Sequence, residues 1–169
     1  MFEGGKPYCY ANVKLWAVKV QATGGNVFKL GYMAIPCHVP NSHWCLCVAD
    51  IAKKQIQYFD SMASIGGPGL YYMRGLQKYF KDEVGRPPFR WHVRRSPRAH
   101  VLCLVSCPQA KEHASDPSVA HLLDVDSWQL IPTDVATTPQ QDNGSDCGVF
   151  NLRFRQLPEP PALARLLRR

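Results

Sequence analysis

The sequence predicts an α+β domain, on three observations. Two apolar stretches and one alternating stretch, at 30–35, 43–50 and 55–60, follow one another with short polar breaks, as strands of an antiparallel sheet do. A helical repeat of Leu70, Met73, Leu76, Phe80 and Val84 comes directly after them. A short strand at 128–131 and a second helix from 147 close the organised part.

Taken in order, residues 1–27 are mixed, with Gly24-Gly25 as a turn. Leu30–Ile35 suits a buried strand, which Pro36 and Pro40 should end. His43–Asp50 is apolar almost throughout, as in a strand covered on both faces. Lys53-Lys54 marks a hairpin turn. After it Ile56, Tyr58 and Asp60 alternate with Gln55, Gln57 and Phe59. Pro68 fits the start of the helix and Gly85 its end, and Pro87-Pro88 would stop it in any case. His92–Ser127 has no clean period and reads as an unstructured insertion. Trp128–Ile131 reads as a strand, and Pro139–Asp146 as a polar turn. Cys147 opens a helix reaching Leu157, with Asp146 or Ser145 as N-cap.

A chain of 169 residues suits one domain with a core of useful size. No apolar run approaches the ~20 residues of a membrane span. No apolar segment of signal-peptide type follows Met1–Lys6. A soluble intracellular protein is therefore expected, without membrane attachment, and a monomer is the default. Seven cysteines, an odd number, then read as free thiols, mostly buried. The net charge of +7 is diffuse apart from an arginine-rich tail, and it favours an acidic partner. Without a basic cluster interleaved with aromatics, nucleic acid is not an expected partner.

A thiol protease needs a thiolate, an imidazole to move its proton, an acceptor to orient that imidazole, and donors for the developing oxyanion. Cys147 begins a helix, where unpaired backbone N–H groups favour a thiolate. Gly148 beside it lets another backbone approach closely. Cys9, Cys37, Cys45, Cys47, Cys103 and Cys107 read instead as buried structural thiols. His43 starts one strand and Asp60 ends the next. If the two strands pair around Lys53-Lys54, these ends lie side by side. A lone histidine at a strand end is more often merely half-exposed, and a carboxylate there more often only ends the strand. Gln141, six residues before Cys147, could loop back as an oxyanion donor, against the plainer possibility of a solvated glutamine.

Three strings join these single signals. The run Ile35–Leu46, containing His43-Trp44, resembles the catalytic-histidine strand of the SUMO-specific (sentrin-specific) cysteine proteases of the ubiquitin-like-protease family. Ile56–Met62, with Asp60-Ser61-Met62, is similar to its aspartate strand. Pro139–Phe150, reading PQQDNGSDCGVF, resembles its nucleophile loop, and this string is highly specific. The resemblance covers residues ~10–91 and 128–150. It implies a papain-like cysteine proteinase fold of the ubiquitin-like and adenoviral protease type, in a partial, incomplete or alternatively spliced form. By position it makes His43 the general base, Asp60 its orienter, Cys147 the nucleophile and Gln141 the oxyanion donor. Trp44 resembles the tryptophan that lids the tunnel for the substrate's Gly-Gly tail. The implied partners are SUMO and SUMO-conjugated proteins, the implied compartment the nucleus and secondarily the cytoplasm, and no cofactor or metal is called for.

Residues 151–169 depart from the family pattern as a divergent basic tail. The alternatives are a catalytically impaired SUMO-binding pseudo-protease, a protease for another ubiquitin-like protein such as NEDD8, and a nucleic-acid module using the tail. His100, Cys103, Cys107 and His113 match no standard zinc spacing.

Overall fold

A computed structural model describes residues 2–3, 7–17, 25–40, 43–62, 69–86 and 117–155. Among the described residues the sheet has five strands in the order of the chain: β1 (Phe2–Glu3), β2 (Tyr32–Val39), β3 (His43–Asp50), β4 (Gln55–Phe59) and β5 (Gln129–Ile131). β2, β3 and β4 form an antiparallel meander, while β1 and β5 add in parallel at its two edges. The helices are α1 (Tyr10–Val13), α2 (Leu70–Val84) and α3 (Cys147–Arg155).

β2 differs from expectation, because it runs through Pro36 instead of ending there. Pro36 pairs with Leu46 on one side, and on the other, among the described residues, β1 pairs with Cys37 and His38. Among the described residues no strand pairs with Pro36 on that side, where a missing N–H removes no ladder bond. The β3–β4 hairpin turns at Ile51–Lys54 as the two lysines suggest. Lys54 takes a φ of 54°, and Asp50 Oδ1 accepts from the Lys53 N–H at 3.1 Å. Gly25 has the positive φ of the turn read at Gly24-Gly25. Pro68 and Pro87-Pro88 lie outside the described residues.

One sheet face carries Ile35, Cys37, Cys45, Cys47, Ala49, Ile56 and Tyr58. α2 covers it with Tyr72, Met73, Leu76, Tyr79 and Phe80, all buried. At about 1.5–3 kcal/mol for each large apolar side chain taken from water, this face is the main source of stability. The predicted stripe is right at Met73, Leu76 and Phe80, but Leu70 is exposed and Val84 only half-buried. The other face carries Leu46, Val48 and Phe59, against which Phe150 of α3 packs. The sheet thus lies between α2 and α3.

The expectation for 92–127 fails over its last part. Val119, Leu122 and Val125 join the main core through two 3-10 turns, Ala120–Leu122 and Val125–Ser127. Trp128 Nε1 donates to the Leu122 carbonyl at 3.2 Å, and Gln77 Nε2 of α2 donates to that of Val125 at 3.0 Å. Residues too few for a full helical period still bury three apolar side chains, which is why no period was visible. The rest of that stretch, with His100, Cys103, Cys107 and His113, lies outside the described residues, as do residues 156–169.

Candidate active site

The hairpin register builds the first half of the site. Leu46 pairs with Phe59, so one step further Cys45 faces Asp60, and His43 is a diagonal neighbour on the same face. His43 Nε2 and Asp60 Oδ1 are 2.7 Å apart, with 13% and 1% of their side chains exposed. Asp60 Oδ1 also accepts the Met62 N–H at 2.8 Å, which fixes the carboxylate from the backbone side. A carboxylate oxygen only accepts, so Nε2 carries the hydrogen of this bond. Nδ1 is buried and has no hydrogen-bond partner among the described residues.

The segment after β5 is tied to the end of β4 at three successive points. Thr133 Oγ1 donates to the Tyr58 carbonyl at 2.8 Å, Gln140 Nε2 to that of Asp60 at 3.1 Å, and the Gln141 N–H to that of Ser61 at 2.8 Å. The Ser61 hydroxyl returns a bond to Gln141 Oε1 at 2.6 Å, and Gln141 Nε2 donates to the Asn143 carbonyl at 2.6 Å. Gln141 is therefore an ordered part of the site and no solvated loop residue.

Asn143 shapes the last turn before the nucleophile. Its Oδ1 accepts the N–H groups of Ser145 and Asp146 at 3.0 Å each, and its Nδ2 donates to Asp146 Oδ2 at 2.8 Å. The Asp146 carbonyl then accepts the Phe150 N–H at 3.0 Å, which starts α3 with Cys147 in its first turn. The Asp146 side chain is turned to Asn143. Cys147 is 6% exposed, while Gly148 is exposed, with open space where a Cβ would stand. α3 packs on β3, the strand that carries His43. No hydrogen bond joins Cys147 to His43 or Gln141 among the described residues. Trp44 is half-buried, with its ring 4.9 Å from that of His38, its cross-strand partner.

The other thiols differ in kind. Cys37, Cys45 and Cys47 are buried as expected, but Cys9 is exposed, because it precedes the short helix α1 and does not enter the core. Cys103 and Cys107 lie outside the described residues. Cys45 is two residues from His43 and fully buried. Burial pushes its thiol well up, the Asp60 carboxylate pushes the same way, and the bond to the Tyr58 hydroxyl opposes them. Cys45 therefore stays protonated and is no rival nucleophile.

His43, Cys45 and Asp60 each bring one possible metal-ligand atom within 4.8 Å of the others. Two ligands about 2.0 Å from one tetrahedral ion would stand roughly 3.3 Å apart. The 2.7 Å His43–Asp60 contact is shorter than that and fits a shared hydrogen, not a shared ion. No role was read from the sequence for Ser61, although it lies within Ile56–Met62.

A hairpin bearing a histidine–carboxylate pair, beside a helix that opens on cysteine, defines the papain-like class of thiol-protease fold. The model of the Ulp1 protease family, C-terminal catalytic domain, matches residues 2–98, more than half of the chain. The chain belongs to this family. The match includes His43 and Asp60 and ends before Gln141 and Cys147.

A sentrin-specific protease of Caenorhabditis elegans is 27% identical over 146 residues, covering 86% of this chain and 15% of the relative. Sentrin-specific protease 2 of Mus musculus is 28% identical over 138 residues, 82% of this chain and 18% of the relative. A putative ubiquitin-like-specific protease 1B of Arabidopsis thaliana is 26% identical over 150 residues, 89% of this chain and 33% of the relative. The SUMO protease Ulp1 with its catalytic cysteine oxidised to a sulfonic acid shares the fold, with a TM-score of 0.55 at 23% identity over 92% of this chain and 51% of that one. The C-terminal Ulp1 protease domain in complex with SMT3, the yeast ortholog of SUMO, has a TM-score of 0.51 at 25% identity, covering 83% and 45%. The chain thus spans about half of these structures and a third or less of these three curated relatives.

Proposed function

We propose that this chain is the catalytic part of a thiol protease that cleaves after the C-terminal Gly-Gly of SUMO, in the precursor and in the isopeptide to lysine. The observation that carries the reading is the 2.7 Å His43–Asp60 pair, whose next residue, Ser61, is bonded to Gln141. The sequence relatives and the SMT3-bound structure named above support SUMO as the ubiquitin-like protein.

In this reading Cys147 Sγ attacks the carbonyl carbon of the terminal glycine and gives its proton to His43 Nδ1. The imidazolium is stabilised by Asp60 through Nε2–H. The tetrahedral oxyanion takes a hydrogen bond from Gln141 Nε2, worth about 10²–10³ in rate. Collapse breaks the C–N bond, and His43 returns the proton to the leaving amine. Water, deprotonated by His43, then splits the thioester and restores the thiol. Trp44 and Gly148 line the path of the Gly-Gly tail, Gly148 because its open surroundings admit a passing backbone. The Cys147–His43 bond forms when substrate binds, since nucleophile–base contacts are often loose in the empty enzyme. The enzyme works as a monomer, without nucleic acid, on nuclear and secondarily cytoplasmic SUMO conjugates.

The second reading, a SUMO-binding pseudo-protease, is favoured by the lack of a Cys147–His43 hydrogen bond among the described residues. Incubation with SUMO and NEDD8 precursors, read by intact mass, decides between them. SUMO trimmed to Gly-Gly with NEDD8 untouched supports the proposal. Trimmed NEDD8 alone moves the specificity, and SUMO bound but uncut supports the pseudo-protease.

A further inference from the structure

We infer that Ser61 is a positioning residue that holds the Gln141 amide with one N–H free for the oxyanion. This rests on the reading of Gln141 as the oxyanion donor. Ser61 is 1% exposed and grips Gln141 at two points, its carbonyl on the main-chain N–H and its hydroxyl on Oε1. The two ends of a glutamine amide are alike in shape, so something must choose between them. The Asn143 carbonyl makes that choice, because it only accepts and stands 2.6 Å from Nε2. Oε1 must then face Ser61, whose hydroxyl donates to it. The amide nitrogen has two hydrogens. One goes to Asn143, and no bond among the described residues uses the other.

Without the Ser61 hydroxyl, Oε1 loses its donor and the amide, held then only through Nε2 on the Asn143 carbonyl, is free to swing out of line. Ser61 follows Asp60 directly, so one stretch of backbone sets both the orienter of His43 and the group that aims Gln141. A misplaced oxyanion donor weakens transition-state binding and leaves substrate binding alone.

The test has two independent arms. In the 15N-labelled chain carrying Cys147→Ser, the Gln141 side-chain amide should give two well-separated proton signals, which Ser61→Ala shifts towards random-coil positions. Unchanged signals overturn the inference whatever the activity. In the native chain acting on SUMO with a C-terminal aminocoumarin, Ser61→Ala should lower kcat about tenfold with KM little changed. It should leave alkylation of Cys147 by a SUMO vinyl sulfone intact, because that addition forms no carbonyl oxyanion. In a Gln141→Ala background Ser61→Ala should cost nothing more, whereas an equal loss in both backgrounds contradicts the inference. A native chain that cannot hydrolyse the substrate sinks the protease reading, and the amide signals still decide the role of Ser61.

Discussion

Asp60 Oδ1 takes hydrogen bonds from His43 Nε2 and from the Met62 N–H at once, and so sets the ring nitrogen that donates through a carboxylate oxygen anchored on the backbone. Asp60→Asn offers an amide of the same shape that can donate where a pure acceptor is needed. We expect kcat for SUMO cleavage to fall about 1,000-fold or more, with the fold intact by circular dichroism. At this scale the pair was legible in the sequence, because a hairpin turn at Lys53-Lys54 leaves only one diagonal for positions 43 and 60. The hold on Gln141 was not legible. It depends on the path of 133–141 along the end of β4, a contact between residues 80 apart that no local pattern encodes. The exposed position of Cys9 was missed for a related reason, since residue type alone does not tell whether a short helix brings its N-terminal neighbour into the core.

Among the elements, α2 depends on a single glycine. Gly69 precedes it with φ 67°, and a Cβ there would run into the Tyr58 ring on β4. Gly69→Ala therefore combines left-handed strain with overpacking, and should cost about 2–4 kcal/mol in urea unfolding. The helix itself was readable from its period, and the strand through Pro36 was not, because the side of Pro36 that no described strand pairs with is a property of the sheet and not of the strand. The turns at 120–127 make the sharper case. Leu122 is 5% exposed inside the main core, so Leu122→Ala should cost about 2–3 kcal/mol in the same measurement. An unstructured insertion would predict no change.

Across the whole molecule, one sheet separates a large aromatic core under α2 from a smaller one under α3. Tyr58, Tyr72 and Tyr79 are buried in the first, and burial is the leading cause that raises all three phenols. Tyr72 is pushed up to about 12, and the other two beyond it. The folded state holds these protons after the unfolded chain, titrating near 10, would release them. Stability from this source is complete below pH ~10 and is lost as pH rises through 12. Melting temperature should drop over that window, together with a rise in tyrosinate absorbance. The assembly of this core was predictable in outline from periodic apolar residues. The pairing of α3 with β3 was not, because among the described residues Phe150 is the α3 side chain that joins the Leu46, Val48 and Phe59 cluster, and one apolar position makes no period. On that pairing rests the central claim, that Cys147 faces a working base. It is tested most directly by mixing the chain with SUMO carrying a C-terminal thiol-reactive group and mapping any adduct by mass spectrometry. The account predicts one adduct, on Cys147, lost in Cys147→Ser and strongly slowed in Asp60→Asn. A chain that is folded by circular dichroism yet forms no adduct would contradict it.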